Sequence, residues 1–335
     1  MKALVLVGGF GTRLRPLTLT LPKQMLPIAG KPMIEWVVGR LADHGVDEVI
    51  LSLGYRPDAF IEAYPDEVCA GLPIRYVTEP EPRGTAGAVR FAADEIGFDD
   101  TFLVLNGDVL TDLDITALID FHRSRGAEAT ISLHKVEDPS AFGVVPTDDE
   151  GRVIAFVEKP PRDEAPTDLI NAGTYVVEPS VLELIEPGRE VSIERETFPA
   201  IVDRGGLYAM AANTYWLDTG TPQLYVAANL DVITGQRAGA TAEPVLGEVA
   251  GSARVANSVI GVGSTVDADA SVVGSVVMNG VHVGEGATVE DSILMDEVTV
   301  GAGASITGCS VIGAGEAIAP GAELDNDRVP DPADG

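Results

Sequence analysis

From Ile260 to Leu324 a branched apolar residue returns about every six positions: Ile260, Val266 and Val272, then Val283 and Val289, then Val300, Ile306, Ile312, Ile318 and Leu324. Glycine or another small residue usually follows each one, as in Ile260-Gly261-Val262-Gly263 and Ile312-Gly313-Ala314-Gly315. A hexapeptide period reads as a parallel β-helix with one short strand per repeat, each branched side chain filling the prism. The coils then stack as a solenoid, each burying the apolar row of the next. The steps from Val272 to Val283 and from Val289 to Val300 are eleven residues rather than twelve, so two coils are predicted to be one residue tight.

Composition marks where this region begins. Beyond Gly235 there is no lysine and almost no aromatic residue. Residues 243–324 hold eleven acids and one cation, Arg254, which predicts strongly negative outer faces. The whole chain of 335 residues carries 52 acids against 22 Lys plus Arg, a net charge of −30. Such an excess argues against nucleic-acid binding. It favours a soluble chain that repels its neighbours. Life in high salt, where screening shortens the repulsion, is one explanation. Residues 1–40 run the other way, with six cations (Lys2, Arg13, Arg15, Lys23, Lys31, Arg40) against Glu35. An acidic chain that keeps one cationic segment is expected to use it on an anion.

Within that segment, Ala3 to Val7 reads as a buried parallel strand. It runs into Gly8-Gly9-Phe10-Gly11-Thr12-Arg13-Leu14-Arg15-Pro16, with Lys23 beyond. Three glycines after a strand give a tight loop whose backbone N–H groups a phosphate can approach closely. Leu14 stands where G-x-G-x-x-G needs its third glycine, and G-x-x-x-x-G-K-[ST] is absent, so dinucleotide and Walker readings fail.

Strands and helices alternate onward to residue 110. Helix is predicted over 33–44, 57–64 and 84–96, and strand over 48–53, 74–78 and 101–105, the rhythm of a doubly wound sheet. Ligands of such sheets sit at the carboxyl ends of strands, where the glycine loop and Asp108 fall. A more mixed stretch follows, with helix over 115–124, over 193–204 with an interruption at Pro199, and over 222–234, and strand over 129–135, 169–177, 207–212 and 215–217. A hairpin over 143–157 delivers Glu158-Lys159. The predicted organisation is 1–240, 241–325 for the β-helix, and a frayed tail over 326–335. No window offers the ~18 apolar residues of a membrane span. The start, Met1 to Leu4, is not a signal peptide, which makes cytoplasmic the default. Cys69 and Cys309 form no ligand motif and read as small buried residues.

The glycine loop followed by Pro22-Lys23-Gln24-Met25-Leu26-Pro27 resembles the sugar-1-phosphate nucleotidyltransferases, or nucleotide-sugar pyrophosphorylases. The resemblance covers the whole chain, since such enzymes combine a Rossmann-like mixed sheet with a C-terminal left-handed β-helix. It implies transfer of a nucleotidyl group from an NTP to a sugar 1-phosphate with release of pyrophosphate. Arg13 then suits the β,γ-phosphates, and Lys23 the α-phosphate or the incoming sugar phosphate. Gly8, Gly9, Gly11, Thr12, Glu79, Gly84 and Thr85 match the family's nucleotide site, and Gly143, Glu158, Lys159 and Asn171 its sugar-phosphate site. Asp108 and Asp218 match its metal pair, for Mg²⁺; either alone reads more readily as a cap or turn residue. Asp112 and Asp114 read as surface or helix-capping acids.

The leading substrates are GTP and mannose 1-phosphate, with glucose-1-phosphate thymidylyl or uridylyl transfer as the alternative. Two readings of other kinds stand beside it: a non-catalytic nucleotide-sugar-binding subunit, and a β-helix acyltransferase using His282. Neither a nucleic acid nor a membrane is an expected partner, and assembly into a homo-oligomer is left open.

Overall fold

The structure, a computed structural model, describes residues 1–54, 56–237, 239–240 and 242–331. The chain forms two compact units, Met1–Gly9 with Ile34–Trp216 and Phe10–Met33 with Leu217–Gly335.

The first unit is built on one mixed sheet. Its main strands are β1 (Lys2–Val7), β2 (Glu48–Leu53), β3 (Leu72–Thr78), β4 (Phe102–Asn106), β5 (Ala129–Lys135), β6 (Leu169–Val177) and β7 (Leu207–Ala211). The order β4-β1-β2-β3 is parallel throughout. β6 runs antiparallel to β4 and to β5, and β7 is parallel to β5. Gly143–Val144 and Val157–Glu158 extend the sheet beside the start of β6. The connecting helices are α1 (Met33–Val38), α2 (Asp58–Ala63), α3 (Gly84–Ile96), α4 (Ile115–Arg125) and α5 (Phe198–Arg204). Leu4, Ile50, Val104, Ile131 and Tyr175 from the strands pack with Val89, Phe198 and Ile201 from the helices in one core.

Two predicted helices differ. The one over 33–44 stops at Val38 and resumes only as a 3₁₀ turn, Ala42–His44, closed by Gly45 at φ 77. Gly39, a poor helix former, stands at the break. The one over 193–204 starts as a π-turn, Ile193–Thr197, in which Phe198 N donates to Ile193 O. Pro199 has no N–H and occupies the first turn of α5 instead. Asp114 caps α4 by accepting from Ala117 N at 3.0 Å, as predicted. Asp112 is no surface acid: its side chain is 9% exposed and takes Arg40 Nη1 at 3.0 Å.

In the second unit α6 (Pro222–Ile233) precedes three five-stranded parallel sheets, consistent with a left-handed β-helix. Val249, Val266, Val283 and Val300 stack in register at steps of seventeen residues. The tightness is therefore general. Val277 and Leu294 fill a third inward row that a strict six-residue count passes over, and each coil has one five-residue side. Only the side from Ile306 to Ile312 is six residues long there, with Gly308 and Cys309 both at positive φ.

A serine ladder lines that short side. Ser258, Ser275, Ser292 and Ser310 are all buried. Ser275 N donates to Ser258 Oγ and Ser292 N to Ser275 Oγ, each at 3.1 Å. Arg328–Val329 pairs with Val311–Ile312, so strand pairing continues past 325 into the stretch expected to fray. The boundary residue 241 and the last four residues of that tail, 332–335, lie outside the described residues.

Candidate active site

The glycine loop passes from one unit to the other between Gly9 and Phe10. Gly9 and Gly11 have φ 102 and 57. A Cβ on Gly11 would come within 2.8 Å of Thr18 Cγ2, so both conformation and space call for glycine there. Thr12–Leu14 form a 3₁₀ turn. It leaves Thr12 and Arg13 exposed while Leu14, Pro16 and Leu17 are buried.

The second unit gathers three of the predicted residues. Lys23 Nζ lies 3.5 Å from Asp218 Oδ1, and the Lys23 side chain is only 8% exposed. Gly220 marks the same spot, since a Cβ there would stand 3.1 Å from Asp218 Oδ1 and 3.5 Å from Arg13 Nη2. A guanidinium and a carboxylate thus flank one residue without a side chain, and the carboxylate also faces the Lys23 ammonium. Buried charge is tolerable because the lysine and the aspartate compensate each other.

The first unit carries the rest. Gly8 and Gly9 are exposed at the end of β1. Asp108 follows β4, two residues beyond Asn106. Glu79 follows β3; its carboxylate accepts from Ser52 Oγ at 3.1 Å and Arg83 N at 3.2 Å. Burial pushes its pKa up, against those hydrogen bonds. Gly84 and Thr85 open α3, but the helix start is already strapped. Ala86 N and Gly87 N donate to Val191 O. Thr85 Oγ1 donates to Glu194 Oε2 and accepts from Ile193 N, each at 2.8 Å. Thr85 therefore serves the fold through its hydroxyl.

Gly143 pairs with Glu158, and Lys159 Nζ stands 3.6 Å from Glu158 Oε1. Lys159 adopts φ 51, a left-handed conformation unusual for a long side chain, and the bond from its N to Phe142 O holds it there. Asn171 donates from Nδ2 to Tyr175 Oη at 2.8 Å and accepts from Gly173 N at 3.0 Å. One N–H and one lone pair of its amide stay available.

Sequence reasoning passed over Tyr175, Glu194 and Trp216. Tyr175 is fully buried, and burial, then the charge of Glu194, Glu158 and Asp108, pushes its hydroxyl pKa far up. Trp216 Nε1 donates to Ala172 O at 2.9 Å, tying the strand before Asp218 to the Asn171 bulge. The available signal was Asn171-Ala172-Gly173 inside a strand, since an interior glycine marks a bulge. β6 does shift register between Asn171 and Tyr175. His282, the acyltransfer candidate, is half exposed and has Nε2 2.8 Å from Asp267 Oδ2. Among the described residues no three His, Cys, Asp or Glu side chains gather as a metal cluster. Among them also, no helix is long and apolar enough to cross a membrane.

Residues 2–235 match the family described as nucleotidyl transferase. The chain belongs to the nucleotidyl transferase family. Residues 241–334 match a second family, described as GlmU-like, C-terminal hexapeptide. Over 237 residues this family member is 48% identical to the mannose-1-phosphate guanylyltransferase of Mycobacterium tuberculosis, covering 70% of this chain and 65% of that protein. Mannose-1-phosphate guanylyltransferase 1 of Arabidopsis thaliana is 46% identical over 230 residues, 68% of this chain and 63% of its own length. The match thus spans just under two thirds of these relatives. Among solved structures, HddC of Yersinia pseudotuberculosis aligns at a TM-score of 0.59 and 31% identity, over 68% of this chain and 97% of HddC. HddC complexed with GMP-PN aligns at 0.58.

Proposed function

We propose that this nucleotidyltransferase makes an NDP-sugar from an NTP and a sugar 1-phosphate, with GTP and mannose 1-phosphate as the pair. The observation that carries the reading is 48% identity, over 237 residues, to a protein named for that reaction. Residues 1–240 do the chemistry, and the coils beyond them, through Arg328–Val329, form the β-helix. The reaction belongs in the cytoplasm, with no nucleic acid or membrane as partner.

The barrier between two anionic substrates is charge repulsion and alignment. Gly8, Gly9, Gly11 and Thr12 present the loop backbone to the triphosphate, and Arg13 forks onto its β,γ-phosphates. Lys23 places its ammonium at the α-phosphate. The 79–85 segment reads the base. Glu158 and Asn171 bond sugar hydroxyls while Lys159 and Gly143 receive the sugar phosphate. A sugar-phosphate oxygen attacks the α-phosphorus in line, the new P–O bond forms, and the bond to the β-phosphate breaks to release pyrophosphate. No protein nucleophile is needed, because the acceptor already presents an anionic oxygen.

Asp108 and Asp218 fit Mg²⁺. Each is a hard oxygen donor of the kind Mg²⁺ takes, Asp108 just after β4 and Asp218 at the end of the short strand Trp216–Asp218, where it is partly exposed. When bound, Mg²⁺ supplies neutralisation of phosphate charge. Pyrophosphate release from a panel of NTPs and sugar 1-phosphates tests the proposal. Activity confined to GTP with mannose 1-phosphate is the expected result; preference for dTTP or UTP with glucose 1-phosphate overturns the substrate pair, and silence across the panel overturns the reaction.

A further inference from the structure

One row of the β-helix consists of the residues that follow the third strand of each coil: Gly261, Met278, Met295, Gly313 and Pro330. Met278 and Met295 are buried. At Gly313 the row loses its side chain, although that glycine is not among the residues at positive φ. Space, rather than backbone conformation, asks for glycine. A Cβ at 313 would sit 3.6 Å from Pro16 Cβ, 3.0 Å from Pro330 Cδ and 3.0 Å from Val329 O. The neighbour on the far side is the buried proline that ends the glycine loop.

From Pro16 the loop reaches Arg13 through consecutive tight turns. Leu14 N donates to Gly11 O, Arg15 N to Thr12 O, Leu17 N to Leu14 O and Leu19 N to Pro16 O. Pro16 and Arg13 therefore belong to one hydrogen-bonded run. The same unit ties down the segment's other end. Tyr225 Oη of α6 donates to Pro27 O, and Ala29 N donates to Asn229 Oδ1 at 2.7 Å. α6 in turn packs on Val259–Ile260 of the β-helix.

We propose that the last coils of the β-helix position the triphosphate loop, and that Gly313 is the positioning residue through which they set where Arg13 lies. The inference rests on the proposed function only for what the loop holds. The β-helix is then a part of the active-site scaffold, beyond any role in assembly. Displacing a positioned group by about 1 Å costs about 10²-fold in rate, so a side chain at 313 should be felt at Arg13.

The test uses the full chain with Gly313→Met, which restores the side chain seen in the two preceding coils, and Gly313→Leu, a shorter side chain that still reaches beyond the Cβ, should the first not fold. Gly261→Ala is the control: its Cβ would meet Met278 O at 2.6 Å, straining the same row against the backbone of the next coil. Hydrogen exchange of amides 10–19 is measured without substrate, and pyrophosphate release with it. We expect faster exchange in both Gly313 variants, with kcat/KM for the NTP lowered about tenfold or more, and neither change in Gly261→Ala. Unchanged exchange in the Gly313 variants, or equal losses in the control, overturns the inference. Altered exchange in a chain that releases no pyrophosphate with any substrate pair sustains the seating and overturns the proposed reaction instead.

Discussion

Lys23 and Asp218 show how little of a side chain's role is visible in its type. A nearly buried ammonium 3.5 Å from a partly exposed carboxylate is a compensated pair in the bare protein and a preset charge for a phosphate. Lys23→Ala leaves Asp218 able to hydrate, so we expect the fold to persist while turnover falls at least about 10²-fold, as on loss of other preorganised charge. Asp108→Asn should lose turnover on a similar scale. Pyrophosphate release alongside thermal unfolding checks both, and near-normal turnover in either removes that residue from the mechanism. Cys69 carries a prediction of another kind. Burial first, then the nearby Glu35 charge, pushes its thiol up to about 12 against the hydrogen bond with Tyr64. A raised thiol pKa favours the neutral form in the folded state. Its contribution to stability is complete below about pH 9, near the unfolded value, and disappears as pH rises towards 12. Thiol titration at pH 8 should find Cys69 unreactive until the chain is unfolded; prompt labelling of the native protein would contradict its burial.

Among the elements, the β-helix depends on polar bonds inside an apolar prism. Ser275 Oγ accepts from Ser292 N and donates to Val273 O, all within the buried corner. Ser275→Ala leaves an amide of the next coil unpaired, which costs about 1–3 kcal/mol. Asp114→Ala removes the cap of α4 and costs about 1 kcal/mol. Denaturant unfolding of the two variants should rank them in that order, with the serine change felt in the β-helix. A silent Ser275→Ala would mean that the ladder contributes nothing. The strap over α3 belongs to this scale too. Because Val191 and Glu194 hold the helix start, the segment expected to read a base is rigid before any ligand arrives.

For the whole molecule, charge decides how the folded state responds to solvent. With 52 acids against 22 Lys plus Arg, compaction brings like charges together. Raising salt from about 0.1 M to about 1 M shortens the Debye length from about 10 Å to about 3 Å and relieves that repulsion. We expect the unfolding midpoint to rise over this range. A fall would show that attractive surface pairs, such as Lys135–Asp168, outweigh the net repulsion.

The sequence by itself determined the alternation of the sheet domain, the stacked coils and the charge contrast around the glycine loop. Each rests on local periodicity or composition, which near neighbours in the chain suffice to express. Strands such as β5 and β6 and the helix α3 have their predicted bounds for this reason. Tertiary structure decided the rest. Asp112 reads as a surface acid until Arg40, seventy-two residues away, is placed beside it. That the Thr85 hydroxyl is bonded to Glu194 and Ile193, more than a hundred residues on, is not legible in its neighbours either. The space beside Gly313 that Pro16 bounds is set by residues nearly three hundred positions apart. Pairings at that distance leave no periodic trace in one chain, because what fixes them is the space left when two elements pack.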